Sequence, residues 1–333
     1  MGRPIRALAS RTCFAHITTQ PATTSTSYAA TRPYNPTYAL DLKMPRIVIV
    51  GGGPAGIQCA QTLADRLGPN DGTEVVVLEK SKFYYHAIGT PRAFVDKDFQ
   101  KNLFIPYDNA IPAKAASFVK IVRAEATSIQ DATNQLEYRP IGDDDKPLGG
   151  PAKRLGFDYL VLATGSTYSV PIKQPKDDFA RSTTEAKLEE VRSNVAKADK
   201  VLIIGGGAVG IEVAGEIKSK FPDKAVTIVE GRDELVAGAD VKSSFRSSLM
   251  DSLKNLGVNV VLGERLSKRL DENSFEKQTL MTSKGTQIDS DVQLVCAGIR
   301  PMGELIKKVD PSLVTSNGSI KVNDKLQVDD ARL

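Results

Sequence analysis

Short, unbroken apolar runs recur along the chain, and each stops at a glycine or an acid. Arg46-Ile-Val-Ile-Val50 runs into Gly51-Gly-Gly-Pro-Ala-Gly56 and then into Ile57-Gln-Cys-Ala-Gln-Thr-Leu63, whose spacing predicts a helix. Glu74-Val-Val-Val-Leu-Glu79 is a second run, and Phe157-Asp-Tyr-Leu-Val-Leu-Ala-Thr-Gly165 a third. Apolar runs of four to eight residues without alternation are the signature of parallel strands covered on both faces. Residues 117–140 alternate instead, which predicts a hairpin or meander. The pattern then repeats. Lys200-Val-Leu-Ile-Ile204 leads into Gly205-Gly-Gly-Ala-Val-Gly210, a helix over Ile211–Lys218 and a strand Ala225-Val-Thr-Ile-Val-Glu230. Val292-Gln-Leu-Val-Cys-Ala-Gly298 closes the second round, followed by Arg300 and Pro301.

Strand, glycine turn, helix and strand in that order carry a specific chemistry. In Gly51-x-Gly53-x-x-Gly56 the first glycine permits the turn, the second lets backbone approach a pyrophosphate, and the third lets helix and strand pack closely. The helix start then points free N–H groups at the anion. Glu79 lies 23 residues after Gly56 and Glu230 lies 20 after Gly210, each placed to accept ribose hydroxyl hydrogen bonds. One such motif is weak support for a dinucleotide site. Two, each with its acid, are strong.

Composition narrows the picture. Of the 333 residues 41% are hydrophobic and 25% charged, an ordinary globular mixture long enough for two domains. The net charge of +4 resides entirely in residues 1–44, which hold five basic residues (Arg3, Arg6, Arg11, Arg32, Lys43) against Asp41. The remainder is neutral, so no specific nucleic-acid partner is expected. No apolar run approaches the roughly 18–20 residues that span a bilayer. Cys13, Cys59 and Cys296 are too scattered for a disulfide framework or a CxxC site, and His16 and His86 are too few for a histidine metal centre. Cys59 and Cys296 read as small core residues. Residues 1–43 are rich in Ser, Thr, Ala and Pro and read as a disordered or targeting segment. A mitochondrial transit peptide, a plain extension and a true start at Met44 all fit; the body is otherwise expected in the cytoplasm, with peripheral membrane contact open.

The order of nucleotide unit, meander, Ala163-Thr164-Gly165 strand, nucleotide unit, meander and Cys296-Ala297-Gly298 strand resembles the two-dinucleotide-domain flavoproteins of the pyridine nucleotide-disulfide oxidoreductase superfamily. The resemblance covers about residues 45–333. It implies an α/β fold of two Rossmann-like domains, the NAD(P)H domain inserted in the FAD domain. The expected segments are 44–170 for FAD, 171–298 for NAD(P)H and 299–333 for the start of the returning FAD segment. By the same match Gly51, Gly52, Gly53, Pro54, Ala55, Gly56, Glu79, Lys80, Arg92, Ala163, Thr164 and Gly165 serve FAD, and Gly205, Gly207, Gly210 and Glu230 serve the nicotinamide coenzyme. Only Cys59 lies on the helix after the first glycine turn, and disulfide exchange needs two sulfurs. The resemblance therefore narrows to the apoptosis-inducing factor 2-like, or ferroptosis suppressor, branch, carried by Phe83-Tyr-Tyr-His86, Arg92-Ala-Phe-Val-Asp96, Gly205–Glu212 and Ile320–Val328.

That branch implies hydride transfer from NAD(P)H to FAD and onward electron transfer to a quinone or similar small acceptor. Glu212 and His86 are the catalytic candidates. Glu212 reads equally as a solvated acid favouring the helix dipole, and His86 as a hydrogen-bonded structural residue. Glu230 favours NADH, while Arg232 softens its repulsion of a 2′-phosphate. Family members continue past Leu333 into a strand whose aspartate holds the FAD ribitol, so the chain is expected to be a C-terminally truncated member. A non-catalytic nucleotide-binding signalling role stays open beside the enzymatic one.

Overall fold

The computed structural model describes residues 15–18, 44–168, 171–174 and 179–328. Most of the expected targeting segment, with Cys13, lies outside the described residues. The exception is β1 Ala15–Thr18, which pairs antiparallel with a strand of the first unit. The chain divides into two compact units, residues 1–80, 107–165 and 301–333 in one, residues 81–106 and 166–300 in the other.

The first unit contains β2 Arg46–Val50, α1 Pro54–Arg66 and β3 Glu74–Glu79. The chain then leaves it through β4 Phe83–Tyr85, α2 Thr90–Ala93 and β5 Phe104–Pro106. It returns as β6 Val119–Gln130, β7 Gln135–Pro140, β8 Lys153–Gly156 and β9 Tyr159–Leu162. The sheet order is β1-β9-β2-β3-β6-β7-β8. Its β9-β2-β3-β6 core is parallel, and the expected hairpin over 117–140 is the antiparallel pair β6–β7. Alternate residues of the apolar runs go to opposite faces. Ile49, Val75, Val77 and Val161 pack with Ala60 and Ala64 of α1, while Val48, Val76, Leu78 and Leu160 pack with Leu305 and Ile306. Both faces are covered, which is why these strands show no polar alternation.

The second unit opens with β10 Ser166–Thr167 and α3 Arg181–Lys197. Then come β11 Lys200–Ile204, α4 Ala208–Lys220, β12 Ala225–Glu230, α5 Ser243–Asn255 and β13 Val258–Leu262. A hairpin of β14 Gln278–Met281 and β15 Gln287–Ser290 precedes β16 Val292–Val295. After β17 Arg300–Pro301 the chain re-enters the first unit with α6 Glu304–Val309. The order β13-β12-β11-β16 is parallel throughout and matches β6-β3-β2-β9 position for position. Leu202 and Val229 bury one face under Leu280 and Ile288 of the hairpin; Ile203 and Ile228 bury the other under α3 and α4.

Residues 81–106 fall in the second unit, whereas the sequence places them with the first. Packing decides it. Phe94, Leu103 and Phe104 are buried in the second unit's core beside Leu188, Val191 and Val195 of α3. Arg192, itself nine-tenths buried, donates to the Ala93 carbonyl at 2.9 Å and to Gln100 Oε1 at 3.0 Å, and pairs with Glu189. Among the described residues no helix is long and apolar enough to cross a membrane.

Arg192→Ala removes a buried donor from two acceptors at once, which costs about 1–3 kcal/mol per stranded group. We expect a lower urea midpoint and faster amide exchange in residues 93–100. An unchanged midpoint with unchanged exchange contradicts this account of the segment.

Candidate dinucleotide sites

Each unit presents a glycine turn at the carboxyl end of its first parallel strand, beside the point where strand order reverses. That is where ligands bind in open α/β sheets. The two turns are built alike. Gly51 N–H donates to the Leu78 carbonyl and Gly205 N–H to the Val229 carbonyl, both at 2.9 Å. Gly51 has φ +103° and Gly205 φ +116°, a backbone region that side chains disfavour. Space excludes a side chain as well: a Cβ on Gly51 would stand 2.3 Å from the Ala163 carbonyl oxygen, and one on Gly205 3.0 Å from that of Cys296. The ends of β9 and β16 thus fit the same gap in the two units.

The third glycines set the helices on the strands. A Cβ on Gly56 would stand 1.8 Å from the Gly51 carbonyl oxygen, and one on Gly210 2.0 Å from that of Gly205. The second motif glycines, Gly53 and Gly207, are the N-cap residues of α1 and α4, and a Cβ on either would meet nothing within 4 Å. That is the open side, where a pyrophosphate needs bare backbone. Neither helix start has a side-chain cap or an acid in its first turn, so the free N–H groups and the positive end of the dipole face that space. In α1 the first helical residue is Pro54, which lacks an N–H to leave unsatisfied. The residues fit an anionic dinucleotide in both turns.

The strand-terminal acids hold the turns as well as facing them. Glu79 Oε2 accepts from Gly52 N–H at 2.5 Å, and Glu230 Oε2 accepts from Gly206 N–H at 2.7 Å. Glu230 Oε1 also accepts from Arg232 N–H at 2.9 Å. Each acid packs so tightly on its middle glycine that a Cβ there would approach the acid's own Cβ to 3.0 Å at Gly52 and 2.9 Å at Gly206. Sequence reasoning includes Gly52 but omits Gly206, although the repeat itself points to it. It also misses Tyr107, whose hydroxyl donates to the Gly52 carbonyl at 2.8 Å. No spacing rule ties a residue so far along the chain to the turn.

The other candidates divide between the units. Thr164 Oγ1 donates to the Met302 carbonyl at 2.6 Å, and Met302 N–H returns a bond to the Gly165 carbonyl at 2.9 Å. Lys80 offers its carbonyl to Arg123 Nε at 3.3 Å. Arg92 lies in the second unit, where its exposed guanidinium pairs with Glu216 of α4 at 3.0 Å and lies over the Phe99 ring. His86, half-buried, belongs to the same unit; its backbone N–H donates to the Leu103 carbonyl, and its ring fills the space beside Gly89. Glu212 is four residues before Glu216 on α4. Its carboxyl is pushed up from the usual range by the surrounding protein and then by the Glu216 carboxylate. Cys296 is buried and its thiol is pushed up to about 12, so it is inert core; burial also raises the half-buried Cys59. Among the described residues no cluster of His, Cys, Asp and Glu could hold a metal ion.

Gly207→Ala leaves the melting temperature unchanged, whereas Gly210→Ala loses more than about 2 kcal/mol because backbone must move to admit the methyl group; equal melting temperatures would refute the packing argument. For Glu212 the folded-state carboxyl is raised, so the charged form is disfavoured by folding and stability falls as pH rises through that folded value. Glu212→Gln should therefore be more stable than the parent above neutral pH, with the difference vanishing below the unfolded carboxylate range. The gain is small because the side chain is exposed and screened. A difference that grows on acidification overturns it.

Known proteins carry the same plan. A family model of the pyridine nucleotide-disulphide oxidoreductases matches residues 45–333. Apoptosis-inducing factor homolog A of Dictyostelium discoideum is 28% identical over 305 residues, covering 86% of this chain and 69% of that protein. Human ferroptosis suppressor protein 1 is 30% identical over 286 residues, covering 85% and 70%. Among solved structures, a NAD-dependent persulfide reductase from A. fulgidus superimposes with a TM-score of 0.61 at 25% identity, over 86% of this chain; the chain spans about half of that protein, 52%. The duplicated turn, the matching strand orders and these relatives establish that the chain belongs to the pyridine nucleotide-disulphide oxidoreductase family, on its branch of apoptosis-inducing factor homologues and ferroptosis suppressor proteins.

Proposed function

We propose that the protein is an FAD-dependent NAD(P)H oxidoreductase that passes electrons to a quinone or a similar small acceptor. The observation that carries this reading is the duplication. One chain holds two dinucleotide turns, each open at its second glycine and closed at its first and third, in two units of the same strand order. A single turn suits a dehydrogenase that binds one coenzyme. Two turns suit a protein that binds a nicotinamide donor and a second, flavin dinucleotide.

Bound there, the two cofactors supply the hydride and electron-transfer chemistry, and the protein supplies binding, orientation and electrostatics. In the first unit the N–H groups of α1 receive a pyrophosphate, and Glu79 at the end of β3 addresses the ribose hydroxyls. In the second unit α4 and Glu230 do the same for the nicotinamide coenzyme. Glu212, with its carboxyl raised, holds a proton closer to neutral pH than an ordinary glutamate and is the residue best suited to manage protons on α4. Arg92 as a flavin-nucleotide contact and His86 as a second catalytic group are part of the same proposal. So is a cytoplasmic or mitochondrial setting with peripheral membrane contact.

The test is an absorbance spectrum of the purified full chain after incubation with FAD and gel filtration, followed by anaerobic titration. A retained flavin band that bleaches with NADH and recovers on adding a short-chain ubiquinone supports the proposal. A colourless protein, or a flavin that NADH does not bleach, contradicts it. A flavin that bleaches with NADH but does not recover with the quinone contradicts the choice of acceptor.

A further inference from the structure

Around the end of β16 the second unit holds a cavity of about 470 Å³, a size common among small-molecule sites. Three stretches wall it: the segment after β10, one side of α3, and the loop before β14. On α3, Lys187, Glu190 and Val191 stand three and four positions apart and so share a side of the helix. The loop is fastened to β16. Asn273 Oδ1 accepts from Val295 N–H at 2.9 Å, and Ser274 and Gln293 exchange backbone bonds at 3.0 and 2.8 Å. No described wall residue belongs to the turn Gly205–Gly210, to α4 or to the end of β12. The cavity thus shares no described wall with the dinucleotide turn of the same unit.

Of the charged residues on these walls, Lys173 is the one most withdrawn from water: it is half-buried, whereas Lys187, Arg300, Glu190, Asp271 and Glu272 are exposed. Among the described residues its ammonium has a single partner, the buried and neutral Ser166 hydroxyl, and no carboxylate pairs with it. Burial holds the ammonium below the usual lysine range, as for a cation that lost water without gaining a counter-ion. Lys187 and Arg300 make no side-chain hydrogen bond or ion pair among the described residues. Glu190 and Glu272 are equally free, but water serves exposed acids, and Asp271 pairs with Arg269 at 2.9 Å. Buried Pro171 and Val191 and the rings of Tyr168 and Phe275 supply the apolar part of the wall.

We propose that this cavity is a separate binding site for a small monocarboxylate with an apolar body, its carboxylate on Lys173 with help from Arg300 and its body against Phe275, Tyr168 and Val191. A half-buried cation gains more from an anion than an exposed one does, because folding has already removed much of its water. Ser166 is a positioning residue here, since its hydroxyl accepts from Nζ and so aims the ammonium. A neutral ligand would leave Lys173 unpaired. A dianion such as a phosphate ester would meet Glu190, Asp271 and Glu272 on the same walls and be repelled. The site stands whether or not the glycine turns hold FAD and a nicotinamide coenzyme.

Calorimetry on the full chain above neutral pH, with 3-phenylpropanoate, 3-phenylpropan-1-ol and phenyl phosphate as probes, compares a monoanion, a neutral molecule and a dianion of similar body. The parent should bind 3-phenylpropanoate with a Kd of about 1 mM or tighter, and about tenfold or more tighter than either other probe. Lys173→Met should weaken the carboxylate by about tenfold or more and leave the alcohol within about threefold. Arg300→Gln, a change at an exposed side chain, should weaken the carboxylate by about threefold and keeps the test decisive if Lys173→Met fails to fold. Saturating NADH should leave the carboxylate Kd unchanged. The proposal is overturned if the parent shows no saturable binding of 3-phenylpropanoate, or binds phenyl phosphate as tightly. A carboxylate Kd that a folded Lys173→Met protein retains overturns it as well, and so does one retained by Arg300→Gln where the lysine variant does not fold. Displacement of the carboxylate by NADH would make the cavity part of the coenzyme site and refute a separate one.

Discussion

Everything in this protein hangs on a contact that leaves room for no side chain. Where α1 crosses β2, the α-carbon of Gly56 rests on the carbonyl of Gly51; where α4 crosses β11, Gly210 rests on Gly205 in the same way. Only that approach brings a helix start to the end of a parallel strand with its N–H groups aimed outward past Gly53 and Gly207. Strand order, the reach of Glu79 and Glu230 back to the middle glycines, and the fit of Ala163 and Cys296 against the first glycines all build on it. The two units are thus one solution reached twice in a single chain.

The parts of this that could be read from sequence are those set by local rules. Glycine spacing announces a steric demand, and an unbroken apolar run announces a strand covered twice, so both turns and every core strand position except β13 were visible as runs or as a meander. The acids at Glu79 and Glu230 were legible because a strand end is a fixed distance from the turn before it. Their bonds to Gly52 and Gly206 were not, because nothing in the spacing says which way a carboxylate turns.

What was illegible depends on residues far apart in the chain. Residues 81–106 follow the first turn directly, yet Phe94, Phe104 and the carbonyl of Ala93 find their partners on α3, about ninety positions later. Arg92 goes with them and pairs with Glu216, an acid that no motif singles out. Tyr107 is hidden for the same reason, since it reaches its glycine through tertiary packing. The second unit also departs from the first at this level: Tyr107 braces Gly52, whereas Leu235 packs on Gly206.

The central claim is that each unit holds its own dinucleotide. Native mass spectrometry of the full chain with FAD and a nicotinamide dinucleotide tests it most directly. The account predicts a ternary species with one of each per chain, in which Gly207→Arg removes the nicotinamide nucleotide alone and Gly53→Arg removes FAD alone. A chain that carries only one nucleotide at saturation, or that loses both to either substitution while remaining folded, would contradict it.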